Sequence, residues 1–412
     1  MKENIYIIGA GISGLVAALN LEKAGFSPVI YEASDAPGGR IKTDIIEGYQ
    51  LDHGFQVLLD AYPKAREYFD YGKLKLQKIL PGAILFDRGK TITLGDPSRH
   101  FPFLWSTMVS GVANLRDIYL LWSLHRGVQH QTDEEIFSSE EMPTIEFLRR
   151  KGFSNRIIDK FFKPFFTGIF LETELQTSCR MFQFVFKMFG RGYATIPKGG
   201  MGALAGQLIE RLQRTTIHYN APVAGIEEGK LILADGSSIP ADGILLAAPS
   251  RDLLPGSSET LSWQSCDTLY FETEVRTIKK PIIGLLTWPD SLINNIFYPT
   301  SISCTKKGAR ELLSVTVVKS HKLEESELIS RVMEELESIC GIENPRFIKR
   351  YKILKALPAL DSLTAEWTEK KGTWGAKVFI AGDHLLYGST NAAIISGEMA
   401  ALAMIGKLDA QK

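Results

Sequence analysis

Apolar residues first appear as the short β-branched run Ile5-Tyr6-Ile7-Ile8, pause across three closely spaced glycines, and resume at Leu15-Val16-Ala17-Ala18-Leu19 with helical spacing. A second β-branched run, Pro28-Val29-Ile30-Tyr31, ends on Glu32. That order predicts strand, turn, helix and strand, the start of a βαβ unit. Further along, the pattern predicts strand within Ile217 to Ile226, a hairpin over Lys230 to Ser237 turning at Asp235-Gly236, and a buried strand over Gly243 to Pro249. A last strand, Val378 to Ala381, precedes a closing helix through Glu398 to Met404.

Two longer stretches follow other periods. Helical spacing dominates from 93 to 195, with Arg99 to Arg126, then Ile145 to Arg150 started by Thr144, then the aromatic-rich Ile157 to Phe170. Strand signals return between 261 and 349, at Pro281 to Trp288 and Leu312 to Val318, before a charged helix from Glu324 to Ser338. The aromatic helices admit three readings: ordinary core, lining for a long apolar substrate, or a membrane-dipping face carrying Trp105 and Trp122 with Arg99, Arg116 and Arg126.

Composition narrows the field. The chain has 412 residues, 45% of them hydrophobic, which is ample for a core and excludes global disorder. Lys plus Arg and Asp plus Glu are 47 each, so no net field draws the protein to nucleic acid. Cys179, Cys266, Cys304 and Cys340 are widely separated, which fits a reducing compartment better than a disulfide scaffold. A signal peptide over Met1 to Leu21 is disfavoured by the glycines inside its apolar run. No other run approaches the roughly 18 apolar residues that span a bilayer. A cytoplasmic protein is expected, with peripheral membrane contact left open.

The first glycines have a chemical reading. Gly9, Gly11 and Gly14 form G-x-G-x-x-G between strand and helix, the arrangement that brings backbone N–H groups and a helix N-terminus against a diphosphate. Glu32, at the end of the second strand, is placed to accept hydrogen bonds from ribose hydroxyls. Pro37-Gly38-Gly39-Arg40 then offers a second flexible backbone segment and a guanidinium for phosphate oxygens. A nicotinamide domain has no general need of that second loop, whereas an extended FAD does. Metal chemistry finds no support, since the seven histidines are scattered and His125 and His130 are off helical register. Ser-His-Asp catalysis lacks a G-x-S-x-G elbow.

With these residues the chain resembles the superfamily of FAD-dependent amine oxidases, protoporphyrinogen oxidases and carotenoid desaturases. Three further blocks are similar to it. Asp52-His53-Gly54-Phe55 leading to Ala61-Tyr62-Pro63 is similar to the desaturase stretch that runs along the flavin. Ile196-Pro197-Lys198-Gly199-Gly200-Met201 matches the loop that returns the chain to the FAD domain, followed by Val223 and by an apolar strand ending in Ala248-Pro249. Gly382-Asp383 and Ser389-Thr390-Asn391-Ala392 match the closing turn and the helix start that face the flavin.

The resemblance implies an α/β protein: a Rossmann-like FAD-binding domain of the three-layer glutathione reductase type, and an α+β substrate domain with a helical insertion. Residues 1–92, 196–260 and 350–412 would form the FAD domain, and 93–195 and 261–349 the substrate domain. It implies noncovalent FAD held by Gly9, Gly11, Ser13, Gly14, Glu32, Ala33, Gly38, Gly39, Arg40, Gly54, Phe55, Val223, Ala248, Gly382, Asp383, Ser389, Thr390, Asn391 and Ala392. His53 is the weak candidate for a catalytic base, although a histidine beside a glycine turn more often satisfies local hydrogen bonds. Ser389 stands where amine oxidases carry an aromatic, and Asn391 where desaturases carry an acid. The expected activity is hydride transfer between a lipophilic unsaturated substrate and flavin N5, of desaturase or isomerase type, with oxygen or quinone as acceptor. The alternatives are an amine or porphyrinogen oxidase using oxygen, and a non-catalytic flavoprotein.

Overall fold

The computed structural model describes residues 3–87, 89–95, 111–227, 229–249, 253–256 and 261–410. One sheet has six strands in the order Thr216–His218, Val29–Tyr31, Ile5–Ile8, Gly243–Leu246, Val378–Ile380 and Thr373–Trp374. The first five run parallel, with Ile5 opposite Gly243 and Ile244 opposite Val378, and only the last pair is antiparallel. Parallel strands are covered on both faces, so all four residues of Gly243–Leu246 are buried and the run reads as continuously apolar.

Two helices, Ile12–Lys23 and Thr390–Asp409, pack closely beside this sheet. Glycines allow the close approach of the first helix to the Gly9 turn and of the second helix to the first. A Cβ on Gly14 would lie 2.0 Å from the Gly9 carbonyl oxygen, and one on Gly397 would lie 2.3 Å from the Ser13 carbonyl oxygen. Only Lys23 escapes burial in the first helix, which is why its sequence shows no polar face. The hairpin Lys230–Leu233 with Ser238–Pro240 pairs with Val223–Glu227 in a three-stranded antiparallel sheet, and its Leu231 joins Ile226 and Ile244 in the same core. Its turn is set by Asp235, whose carboxylate accepts from the Ser237 backbone N–H and hydroxyl, and by Gly236 at φ +83°.

A second sheet has seven strands in the order Arg346–Pro358, Trp263–Thr273, Glu311–Val317, Ile293–Phe297, Ile283–Leu286, Gly82–Asp87 and Lys90–Gly95. Helix Glu325–Ser338 covers part of it through the fully buried Leu328, Val332 and Leu336, which meet Leu313 and Val315. Sheet membership crosses the expected boundaries. The cuts at 92/93 and 349/350 fall inside Lys90–Gly95 and Arg346–Pro358, both in this second sheet. Alternation marks a strand but does not reveal its partner, and here Gly82–Asp87 pairs in parallel with a segment some two hundred residues later.

A helical group comprises Leu115–His130, Asp133–Ser138, Thr144–Lys151, Asn155–Ile157 continuing through a π turn at Ile158–Phe162 into Lys163–Phe170, and Cys179–Arg191, with Lys163–Phe170 against the second sheet. The expected helix from Arg99 falls partly outside the described residues; its described part begins at Leu115, capped by Asn114 and Asp117 in a reciprocal capping box. Phe162, Phe166, Phe170, Phe182 and Phe184 are buried here, so much of the aromatic content is core.

Candidate functional site

The glycine turn has the form an anion site needs. Gly9 takes φ +99°, and its N–H donates to Tyr31 O at 2.8 Å. Gly11 precedes helix Ile12–Lys23 with extended backbone and no side-chain cap, so its first N–H groups face the cleft. A Cβ on Gly11 would meet no protein atom within 4 Å, which leaves that space for a ligand. Glu32 is buried and organises the same corner: one carboxylate oxygen accepts from the Ala10 N–H at 2.7 Å, the other from the Ser34 N–H and hydroxyl at 2.9 and 2.6 Å. The second loop lies directly against the first, Gly38 N–H donating to Ala10 O at 2.9 Å and Gly11 bridging Gly38.

Arg40 and Asp383 meet instead of pointing separately at a ligand. The guanidinium donates to both carboxylate oxygens, one bond at 3.0 Å, and to Ala356 O at 3.3 Å, with the Trp263 ring 5.3 Å away. Burial opposes the Arg40 charge, but the Asp383 carboxylate outweighs it and raises the guanidinium above its ordinary value.

A single cleft of about 1720 Å³ runs from this corner into the helical group. Gly9, Gly11, Ser13, Glu32, Gly38, Gly39, Arg40, Gly54, Phe55, Ala248, Gly382, Asp383, Ser389 and Thr390 lie on its wall, and His53 with them. Five expected residues do not. Gly14 packs the first helix onto the Gly9 turn and Ala247, Ala33 is exposed, and Val223 pairs with Leu233 in the small sheet. Asn391 is turned inward: its carbonyl accepts from the Lys64 N–H at 3.0 Å and its amide donates to the Tyr387 hydroxyl at 2.8 Å. Ala392 is fully buried, its N–H held by the Ser389 hydroxyl at 3.1 Å. The helix N–H groups left for the cleft are therefore those of the first turn before Ala392.

His53 belongs to a polar cluster that sequence reasoning missed. Its Nε2 is 2.9 Å from Asp44 Oδ2, which also accepts from the Tyr351 hydroxyl at 2.7 Å, and the His53 and Tyr351 rings lie 4.5 Å apart. Burial pushes the Asp44 carboxyl up, but the hydrogen bonds from Tyr351 and His53 hold it below its ordinary value. Burial and Asp44 together raise the Tyr351 phenol. Nothing in the local pattern links Asp44, His53 and Tyr351, since the third comes from another sheet. Nearby, burial raises the Asp52 carboxyl to about 6 although it accepts from the Thr43 hydroxyl and the Met201 N–H. Much of the remaining wall is apolar and aromatic, with Leu121, Trp122, Phe161, Phe165, Phe186 and Phe189, while Lys349, Arg350, Lys352 and Lys355 also line the cleft.

The family model for flavin containing amine oxidoreductases matches residues 12–405. The chain belongs to this family. It is an oxidoreductase, and the cofactor of the family is FAD, which the uncapped helix end, the open space at Gly11 and the adjoining second glycine loop fit. Among curated relatives, a carotenoid phi-ring synthase of Chlorobaculum tepidum is 25% identical over 249 residues, 56% of this chain and 38% of its own length. The chain thus spans well under half of that relative. A 15-cis-phytoene desaturase of Synechococcus elongatus is 22% identical across 98% of this chain and 96% of its own. Among solved structures, cyclohexylamine oxidase from Brevibacterium oxydans superposes with a TM-score of 0.73 at 16% identity, covering 99% of this chain and 100% of the other. That likeness shows the mixed α/β fold of this flavoprotein family.

Proposed function

We propose that this flavoprotein oxidises a lipophilic, unsaturated substrate, in a reaction of desaturase or isomerase type. The observation that supports the reading best is the continuity of the cleft, in which the diphosphate corner opens without a partition into an apolar aromatic gallery. When bound, FAD supplies a two-electron acceptor at its flavin ring. The chain's own residues bind, orient and exclude water. The helix end at Gly11 and the backbone of Gly38 and Gly39 hold the diphosphate, and Glu32 accepts from the ribose. Thr390 and Asn391 offer backbone N–H groups to whatever charge develops at the flavin's edge. FAD is held noncovalently, in a Rossmann-like domain of the glutathione reductase type. The aromatic walls keep the substrate dry and in line, and His53, paired with Asp44, stands on the same wall.

The entry helix supports a peripheral membrane location for this cytoplasmic protein. Leu115, Tyr119 and Trp122 are 81%, 63% and 56% exposed, with Arg116 and Arg126 beside them, and Leu115 and Trp122 also line the cleft. No described helix is long and apolar enough to cross a membrane.

Oxidation of an amine, with oxygen as acceptor, is the second reading, favoured by one observation: the Asp44 carboxylate on the cleft wall is suited to a cation. One experiment separates the two. The FAD-loaded protein is mixed anaerobically with a long polyene or a long-chain amine, then with quinone or oxygen. Bleaching of the flavin band by the polyene is expected. Bleaching by the amine alone, with peroxide released in air, would replace the leading reading with the second; no bleaching by any substrate would make the flavin structural.

A further inference from the structure

Within the apolar gallery the seven-stranded sheet contributes a buried row that is polar at three of its four positions. Leu285, Asn295, Thr316 and Thr268 are directly opposed across four adjacent antiparallel strands, so their side chains share one face. Asn295 and Thr316 are 1% and 4% exposed, and both lie on the cleft wall. Phe297, two residues beyond Asn295 on the same face, packs against Phe55 at 5.1 Å between ring centroids. A Cβ on Gly54 would lie 3.9 Å from the Thr268 hydroxyl. The row therefore runs beside the Gly54-Phe55 stretch.

Its hydrogen bonds use half of the amide's capacity. Asn295 donates one N–H to the Thr316 hydroxyl at 3.2 Å and accepts from the Asn294 amide at 3.0 Å, while Asn294 also donates to Pro164 O at 3.2 Å. One amide N–H, one carbonyl lone pair and the Thr316 O–H are left over. Leaving such groups unmatched in an apolar wall is costly. The helix facing them is cut back at this point. A Cβ on Gly168 would come within 3.1 Å of the Asn295 carbonyl oxygen and 3.0 Å of the Asn294 amide nitrogen, although glycine weakens a helix relative to alanine.

We propose that Asn295 and Thr316 form a subsite for a hydroxyl group on an otherwise apolar substrate. A hydroxyl is the complement of what is left over: its oxygen accepts from the amide N–H or Thr316, and its proton is donated to the amide carbonyl. A pure hydrocarbon leaves all three groups unmatched. The subsite rests on the proposed use of the gallery for a lipophilic substrate, and it adds a polar mark by which that substrate is told from a hydrocarbon of equal length.

The test uses the full-length FAD-loaded protein and two probes, geranylgeraniol and the C20 hydrocarbon lacking its hydroxyl, with binding read from perturbation of the flavin spectrum. The wild type is expected to bind the alcohol roughly three- to ten-fold more tightly, the range of one or two buried hydrogen bonds. Asn295→Leu, which removes the amide, and the double variant Asn295→Leu/Thr316→Val are expected to bring that ratio close to one, with the hydrocarbon bound as well as by the wild type or better. Gly168→Ala, which crowds the amide, should lower it as well. Where Asn295→Leu loses its flavin, Asn295→Met, unbranched at Cβ and equally without donor or acceptor capacity for a hydroxyl, decides instead. A ratio of one in the wild type, or a ratio unaltered in a flavin-loaded Asn295 variant, would overturn the subsite while leaving the gallery reading intact. Binding of neither probe would overturn both.

Discussion

The Arg40 guanidinium grips the Asp383 carboxylate through both of its oxygens across a separation of 343 residues, latching the second glycine loop to the turn that follows the last parallel strand. Asp383 is 4% exposed. Removing Arg40 strands a buried charge, which costs about 3–5 kcal/mol, whereas removing both charges costs less. Arg40→Met is therefore expected to lower the melting temperature and FAD affinity more than the double variant Arg40→Met/Asp383→Asn. Calorimetry on the four proteins of the cycle checks this, and strictly additive losses would show that the latch contributes nothing.

The glycines of the first turn should separate into two kinds. A Cβ at Gly14 collides with the Gly9 backbone, so Gly14→Ala should cost about 3 kcal/mol of stability or prevent folding. A Cβ at Gly11 meets only open space at an ordinary φ of −72°. Gly11→Ala should melt like the wild type without FAD, yet bind FAD at least about ten-fold more weakly, a loss of about 1.4 kcal/mol. Unchanged FAD affinity in Gly11→Ala would place the diphosphate elsewhere.

Glu32 accepts three hydrogen bonds from Ala10 and Ser34 before any ribose arrives. Glutamine puts an amide donor against one set of those donors. Glu32→Gln is expected to lose about 1.5–3 kcal/mol in cofactor binding, ten-fold or more in Kd by fluorescence titration.

Asp52 gives stability a pH dependence whose sign follows from burial. Its carboxyl is raised from 3.8 to about 6 in the native state, so the folded protein holds that proton more tightly than the unfolded chain. Its contribution is full below about pH 4 and lost as pH rises through about 6. Asp52→Asn keeps the acceptor for Thr43 and Met201 but cannot ionise. The melting temperature of the variant minus that of the wild type should rise between pH 4 and 6.5 and then level off. Parallel curves across that range would rule out a raised Asp52.

At the cleft mouth, Tyr119→Ser/Trp122→Ser removes aromatic surface that is more than half exposed. Co-sedimentation with anionic vesicles is expected to fall several-fold with melting temperature unchanged. Equal sedimentation of both proteins would remove the membrane reading.

The local requirements of the site were legible in the sequence because each demands a particular residue type. Gly9 needs φ +99°, Gly11 needs empty space in front of a helix end, and Glu32 needs a carboxylate at a strand's C-terminus, so each leaves its mark within a few residues. What depended on packing was not legible. Asn391 follows Thr390 directly, yet it turns away from the cleft because Lys64 and Tyr387 offer it partners from elsewhere in the fold. Asp44 and His53 become a cluster only when Tyr351 arrives from another sheet, and Asn295 becomes a polar mark in an apolar wall only when Thr316 and Gly168 lie across from it. The sequence by itself determined the glycine turn, the uncapped helix end and the carboxylate beside them, since backbone geometry and a single carboxylate are local properties. Only the tertiary structure decided which strands share a sheet, which expected ligands face the cleft and what lines it, because side-chain direction is settled by neighbours hundreds of residues away.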